Sequence, residues 1–270
     1  MNIWVSVRTF PGSIVVYNIF TPEFLYRLIS SAKLLLHLSM YYKHVFFDLD
    51  HTLWDFETNA KATLYDLYHQ YNLNAKGIDD FDAFFSRYSY HNERLWDRYT
   101  KGFIKQDELR WKRMWLALLD YKLADEELSR TMSAAFLETL PSKKAIFPYT
   151  FEILEYLKRK GYHLHLVTNG FEKVQHNKLQ SSGLYTYFNA VITSEASNSL
   201  KPQKEIFEYA FQQTGAGNKE SIMIGDNLDA DIQGGINAGM DTVFVNHLNI
   251  DAHIQPTYTV YHLKELEDIL

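Results

Sequence analysis

From Thr150 to the C-terminus, short apolar runs alternate with segments of helical period, a pattern that leaves few architectures open. A helix over Thr150–Lys160 stops at Gly161, and "YHLHLVTNG" reads as a strand closing in a polar turn. A helix over Glu172–Ser182 leads to Gly183, the strand "NAVITSEA" follows, and then the helix "PQKEIFEYAFQQTG". The strand "SIMIGDN", the helix "DADIQGGINAG" and the strand "DTVFVN" complete the series, with a short strand at Tyr258–Tyr261 before a terminal helix. Strands alternating with helices predict a parallel sheet covered on both faces, an α/β fold of Rossmann-like type.

The first strand of that sheet lies far upstream. Tyr42–Phe47 is short, apolar and aromatic and ends in a polar turn. Between it and Thr150, from about Asn59 to Leu140, apolar residues recur every three or four positions, so four or five helices are expected. Asp79, Asp107 and Asp125 stand where helix N-termini belong. The expected organisation is a core of residues 41–57 and 143–270, with a helical cap over 58–142 inserted between the first strand and the second βα unit.

Residues 1–40 read differently. "FLYRLISSAKLLLHLS" has helical spacing, but Arg27 and Lys33 interrupt it, and no run reaches the roughly 18–20 apolar residues of a membrane span. Pro11 and Pro22 break the segment, and no small-residue cleavage site follows it. It is an extension upstream of Met40 from a wrong start, an amphipathic helix packed on the domain or a partner, or a membrane-surface anchor.

In an open α/β sheet, ligands bind at the carboxyl ends of the strands, so the polar residues there should converge. The first strand ends in Asp48, Asp50 and Thr52, and the next in Thr168, Asn169 and Gly170. Ser194, Glu195 and Lys201-Pro202 follow the third, and Asp226-Asn227 the fourth, with Asp231 one helical turn on. Two carboxylates ending a buried strand are costly unless a cation or donors compensate them.

"DLDHT", "VTNG", the isolated "KP" and "GDNLDAD" occur in that order, each after an expected strand, and with a helical insert after the first. Together they resemble the four motifs of the haloacid dehalogenase superfamily, most of whose members are phosphatases. The resemblance implies Asp48 as nucleophile and Asp50 as general acid and base. It implies Mg²⁺, with Mn²⁺ able to substitute, held by Asp48, the Asp50 backbone carbonyl and Asp226. Asp231 would hold a metal-bound water or orient Lys201, which would neutralise the phosphoryl oxygens and Asp48. Thr168 and the backbone at Asn169 and Gly170 would bind phosphate, with Thr52 beside them. His51 either faces the cap and substrate or is an exposed turn histidine. A dehalogenase of the superfamily needs no acid at the second position, so Asp50 favours a phosphatase. A phosphomutase keeps both aspartates, and a non-catalytic binding protein of the fold should lack a motif residue.

Cap residues set substrate class in such folds. Trp96 and Tyr99, with Phe85 and Tyr88 before them, form an aromatic helix face able either to stack a nucleobase or to fill a bundle core. "LWDRYTKGFIKQDELRWKR", "NGF", "GGINAG" and the ending "PTYTVYHLKELEDIL" resemble the bacterial house-cleaning pyrimidine 5′-nucleotidases, from Tyr42 to Leu270. That resemblance implies a phosphatase for nucleoside 5′-monophosphates such as UMP, dUMP and dTMP. A broad phosphatase for phosphoglycolate or sugar phosphates is the alternative. His51 stands where some members of that family are expected to carry an acid, and residues 1–39 have no counterpart there.

A net charge of -6 excludes a partner bound mainly through nucleic-acid phosphates, while leaving a single nucleotide open as substrate. With no cysteine the chain has no disulfide or thiolate metal site, which fits the cytoplasm. No membrane association is expected, and a monomer or dimer would serve.

Overall fold

The computed structural model describes residues 4–9, 13–18 and 42–270. The helix expected within residues 24–39 and the junction at Met40 lie outside them. Strands β1 (Trp4–Thr9) and β2 (Ser13–Asn18), which the sequence analysis did not anticipate, form an antiparallel pair from Trp4↔Asn18 to Thr9↔Ser13.

The main sheet holds six parallel strands: β3 (His44–Phe47), β4 (His163–Thr168), β5 (Ala190–Thr193), β6 (Ser221–Gly225), β7 (Asp241–Val245) and β8 (Tyr258–Val260). Their spatial order is β5-β4-β3-β6-β7-β8. The first strand in sequence is therefore central, and the chain leaves it toward one edge and later returns to build toward the other. Phe47 is in register with Leu166 on β4 and with Ile224 on β6, so the carboxyl ends of β3, β4 and β6 lie side by side. Every residue of β3 and β6 is buried, as a strand covered on both faces requires. Phe46 joins Val167, Phe207 and Met223 on one face, while Val45 and Phe47 join Leu164, Leu166 and Ile224 on the other.

Between β3 and the next strand come α1 (Phe56–Gln70), α2 (Phe81–Thr100), α3 (Gln106–Leu119), α4 (Glu126–Thr139) and α5 (Thr150–Arg159). Asp55, Asp80 and Asp125 cap α1, α2 and α4 by accepting the amides of Thr58, Ala83 and Leu128. Asp80 rather than the expected Asp79 thus starts α2. Asp107 lies inside the first turn of α3, where its charge complements the helix dipole without capping. The inserted helices share one continuous core with the sheet, since Leu64, Phe84, Met114 and Phe136 belong to the cluster of Val45 and Phe47. Phe85 and Tyr88 are buried in that core, which settles them as bundle interior.

Helices α6 (Glu172–Ser182), α7 (Ser194–Ser197) and α8 (Lys204–Thr214) follow β4 and β5. After β6 the expected single helix is instead a π-helical turn, Leu228–Gln233, running into α9 (Gly234–Asn237). The wider turn arises as the Asn227 carbonyl accepts the amides of both Asp231 and Ile232. The chain ends in a 3₁₀ segment, Leu263–Asp268, where a terminal helix was expected. Among the described residues no helix is long and apolar enough to cross a membrane.

Candidate active site

Asp48 follows β3 directly, and its amide donates to the Ile224 carbonyl of β6 at 2.9 Å, extending the ladder one residue. The chain then turns back tightly, with the amides of Leu53 and Trp54 both donating to the Leu49 carbonyl. His51 adopts the left-handed conformation (φ 63°) at the exposed tip of that turn, beside Phe56. It is an exposed turn histidine in this arrangement.

Lys201 is buried at the centre of the strand ends. Its Nζ donates to Asp48 Oδ1 at 2.5 Å, Asp231 Oδ1 at 2.7 Å and the Val167 carbonyl at 2.7 Å, which accounts for all three ammonium protons. The Asn169 side chain fixes the backbone of this lysine at both ends. Its Oδ1 accepts the Lys201 amide at 2.7 Å and its Nδ2 donates to the Lys201 carbonyl at 2.9 Å. Asp231 Oδ2 in turn accepts the Asn227 amide at 3.0 Å. A Cβ on Gly225 would stand 2.2 Å from Asp231 Oδ2, so only glycine lets the π-turn bring that carboxylate over the end of β6.

Carboxylate oxygens of Asp48, Asp226 and Asp231 lie within 4.8 Å of one another. Thr52 orders this group. Its hydroxyl donates to Asp226 Oδ1 at 2.9 Å and accepts the Asp226 amide at 3.1 Å, so Thr52 is engaged with the acid rather than open to a substrate. Burial pushes the Asp48 carboxyl well above the usual range, opposed by Lys201 and reinforced by Asp231 and Asp226. Burial, followed by the Asp231 charge, raises Asp226 to about 7. Burial alone would lower Lys201, but the charges of Asp231 and Asp48 raise it overall. Three acids share one lysine, so the donor set has oxygen ligands and unbalanced negative charge, which suit a hard divalent cation.

Asp50 stands apart from that cluster. Its oxygens accept Lys178 Nζ at 2.6 and 2.9 Å, and Oδ2 also accepts Gln175 Nε2 at 3.0 Å. Its carboxylate is therefore no candidate metal ligand here, which leaves its backbone carbonyl for that part. Thr168 Oγ1 accepts Gln175 Nε2 at 2.6 Å and the Gly170 amide at 3.1 Å. The Gly170 amide, expected on the phosphate, donates to Thr168 in this structure, while the Thr168 hydroxyl proton stays available. Lys178 and Gln175 were missed in the sequence analysis. The signal existed: Phe171, Gln175, Lys178 and Leu179 keep the three- and four-residue spacing of the buried face of α6, and a glutamine and a lysine on such a face need partners.

Trp96 and Tyr99 of α2 are half-buried and pack against the small cluster of Leu95, Leu109 and Phe171. The Trp96 ring stacks on Phe171 with centroids 5.7 Å apart, and Tyr99 packs edge-on against Trp96. Arg110 of α3 lies over Phe171 at 4.7 Å. Glu195, after β5, accepts from Gln106 and Arg110 of α3 and from the Glu172 amide. The insert thus docks on the loop after Gly170 and on Glu195.

The family model described as haloacid dehalogenase-like hydrolase matches residues 42–239. The chain is 35% identical over 235 residues to the pyrimidine 5′-nucleotidase PynA of Streptococcus pneumoniae (strain ATCC BAA-255 / R6), covering 86% of this chain and 96% of that one. It is 30% identical to the pyrimidine 5′-nucleotidase YjjG of Escherichia coli (strain K12), covering 84% and 96%. Among solved structures, the magnesium-bound putative HAD-hydrolase YfnB of Bacillus subtilis superposes with a TM-score of 0.78 at 29% identity, over 85% of this chain and 99% of that one. With motif, sheet order and relatives in agreement, the chain belongs to the haloacid dehalogenase-like hydrolases.

Proposed function

We propose that this hydrolase is a Mg²⁺-dependent phosphatase for nucleoside 5′-monophosphates, preferring pyrimidines. The observation that carries the chemistry is the buried Asp48–Lys201–Asp231 chain of 2.5 and 2.7 Å with Asp226 alongside, in a protein that also has an acid at position 50. The substrate class is supported by the relatives named pyrimidine 5′-nucleotidase.

In this reading Asp48 attacks phosphorus and the bond to the ester oxygen breaks. Asp50 gives its proton to that oxygen, and the nucleoside leaves as an alcohol. Asp50 then takes a proton from water, whose oxygen attacks phosphorus; the bond from the Asp48 oxygen to phosphorus breaks, the Asp48 carboxylate is regenerated and inorganic phosphate is released. Lys201 holds Asp48 aligned and offsets charge developing on the phosphoryl oxygens, and the Thr168 hydroxyl donates to the phosphate. A Mg²⁺ ion at Asp48, Asp226 and the Asp50 carbonyl would neutralise the mutual repulsion of carboxylates and phosphate. Asp231 fits the role of orienting Lys201, since both its oxygens are already committed.

Residues 41–57 and 143–270 form the catalytic core in this scheme, 58–142 the cap, and 1–40 an extension. A monomer or a dimer would serve this scheme, and a cytoplasmic place fits a nucleotide substrate. Stacking of a base on Trp96 would require that ring to leave Phe171. A screen of phosphate esters with Mg²⁺ tests the assignment. UMP, dUMP and dTMP should give the highest kcat/KM, and preference for phosphoglycolate or sugar phosphates would replace the nucleotide by the broader metabolite class.

A further inference from the structure

The geometry points to Lys178, assisted by Gln175, as the positioning residue that aims Asp50 at the leaving group. Lys178 is 2% exposed and lies on α6, with its Nζ 4.4 Å from the centre of the Trp54 ring and 5.5 Å from that of Phe56. Its ammonium reaches both Asp50 oxygens, at 2.6 and 2.9 Å. Gln175 is fully buried and ties Asp50 Oδ2 to Thr168 Oγ1 through one amide nitrogen, at 3.0 and 2.6 Å. A Cβ on Gly170 would fall 2.3 Å from that nitrogen, so the glycine of "VTNG" makes room for the link. Gln175 Oε1 has no hydrogen-bond partner among the described residues, so the amide is placed for its donors.

An ion pair made by a buried lysine to a half-buried aspartate is a poor device for stability, because desolvating the ammonium offsets much of the attraction. An apolar residue would complete the buried face of α6 at lower cost. What the pair achieves is geometric: two donors from one helix hold both oxygens of a carboxylate whose own turn is short and tipped by a residue at positive φ. Asp50 is thereby fixed relative to Thr168, which is proposed to contact the phosphate. The inference rests on the phosphatase reading above, in which Asp50 protonates the departing alcohol. A misaimed acid costs most where the leaving group most needs a proton, and little where it departs as a stable phenolate.

The test compares kcat/KM across phosphate monoesters from acidic phenols to alcohols, UMP included, for wild type, Lys178→Met, Lys178→Arg and Gln175→Leu. Lys178→Met should lose roughly 10–100-fold more on UMP than on p-nitrophenyl phosphate, steepening the dependence on leaving-group basicity. Lys178→Arg, which keeps a cationic donor able to reach both Asp50 oxygens, should recover part of that difference, and Gln175→Leu should shift it in the same direction by less. In an Asp50→Asn background, Lys178→Met should add no further selectivity between leaving groups. Equal losses on all esters, or an undiminished selective loss with Asp50 already replaced, would overturn the positioning role while leaving the phosphatase reading intact. A wild-type protein inactive on every ester with Mg²⁺ would overturn both. If Lys178→Met does not fold, the arginine and Gln175 variants decide the question by the same slope.

Discussion

At the scale of single residues, the site is a problem of buried charge. Asp48, Asp231 and Lys201 are each almost fully buried, and each is tolerable because the others are present. Lys201→Met should therefore destabilise the fold by about 3–5 kcal/mol, measured by urea unfolding, because two carboxylates are left without their cation. It should also abolish turnover, and an unchanged unfolding midpoint would show that the charges are compensated otherwise. Asp48→Asn is nearly isosteric and keeps an acceptor for Lys201, so the fold should persist while kcat drops by roughly three orders of magnitude or more. Substantial residual turnover would remove Asp48 from its role as nucleophile.

At the scale of elements, the site depends on how strand ends become turns. The alternation of strands and helices, the order of the motifs and the placement of Asp48, Lys201 and Asp231 were legible in the sequence, because buried strands are short apolar runs and their polar punctuation stands out. The tasks of Thr52, Asn169 and Gly170 were not legible. Their bonds run to residues far away in sequence, Asp226 for Thr52 and Lys201 for Asn169, or turn inward locally, as Gly170 does to Thr168. The π-turn after β6 was equally hidden, since its sequence has helical period and only the double bond to the Asn227 carbonyl widens it. Gly225→Ala tests that element. The added methyl would displace Asp231 from Lys201, so stability should fall by about 1–3 kcal/mol and activity should drop with it. An alanine variant of wild-type activity would mean the turn can shift without cost.

At the scale of the whole molecule, two responses should be separable. Mg²⁺ binding only to the folded site should raise Tm with the logarithm of its free concentration, reaching about 2.7 kcal/mol of stabilisation at a hundredfold excess over Kd. Asp226→Asn should remove most of that shift, and an undiminished shift would place the ion elsewhere. The second response lies at the opposite end of the sheet. His44 and His165 share a hydrogen bond of 3.0 Å, with His163 stacked on His44 and Glu220 3.9 Å from it. Burial, then His44 and His163, push His165 down to about 4 from 6.5. The unfolded chain binds that proton more readily, so stability is intact above pH 6.5 and declines as pH falls toward 4, by on the order of 3 kcal/mol. His165→Gln should flatten the acid limb of a Tm–pH curve, and an unaltered limb would assign the acid loss to other groups.

By itself the sequence determined the alternating α/β core, the helical insert and the identities of the acids and the lysine, since these follow from local apolar period and from residue type. Only the tertiary structure decided that Asp50 is held by Lys178 and Gln175 rather than joined to the other acids. It likewise decided that Trp96 packs on Phe171 and that residues 4–9 and 13–18 form a strand pair. Each of these is a choice among partners distant in sequence, or a pairing of strands, which no local period encodes.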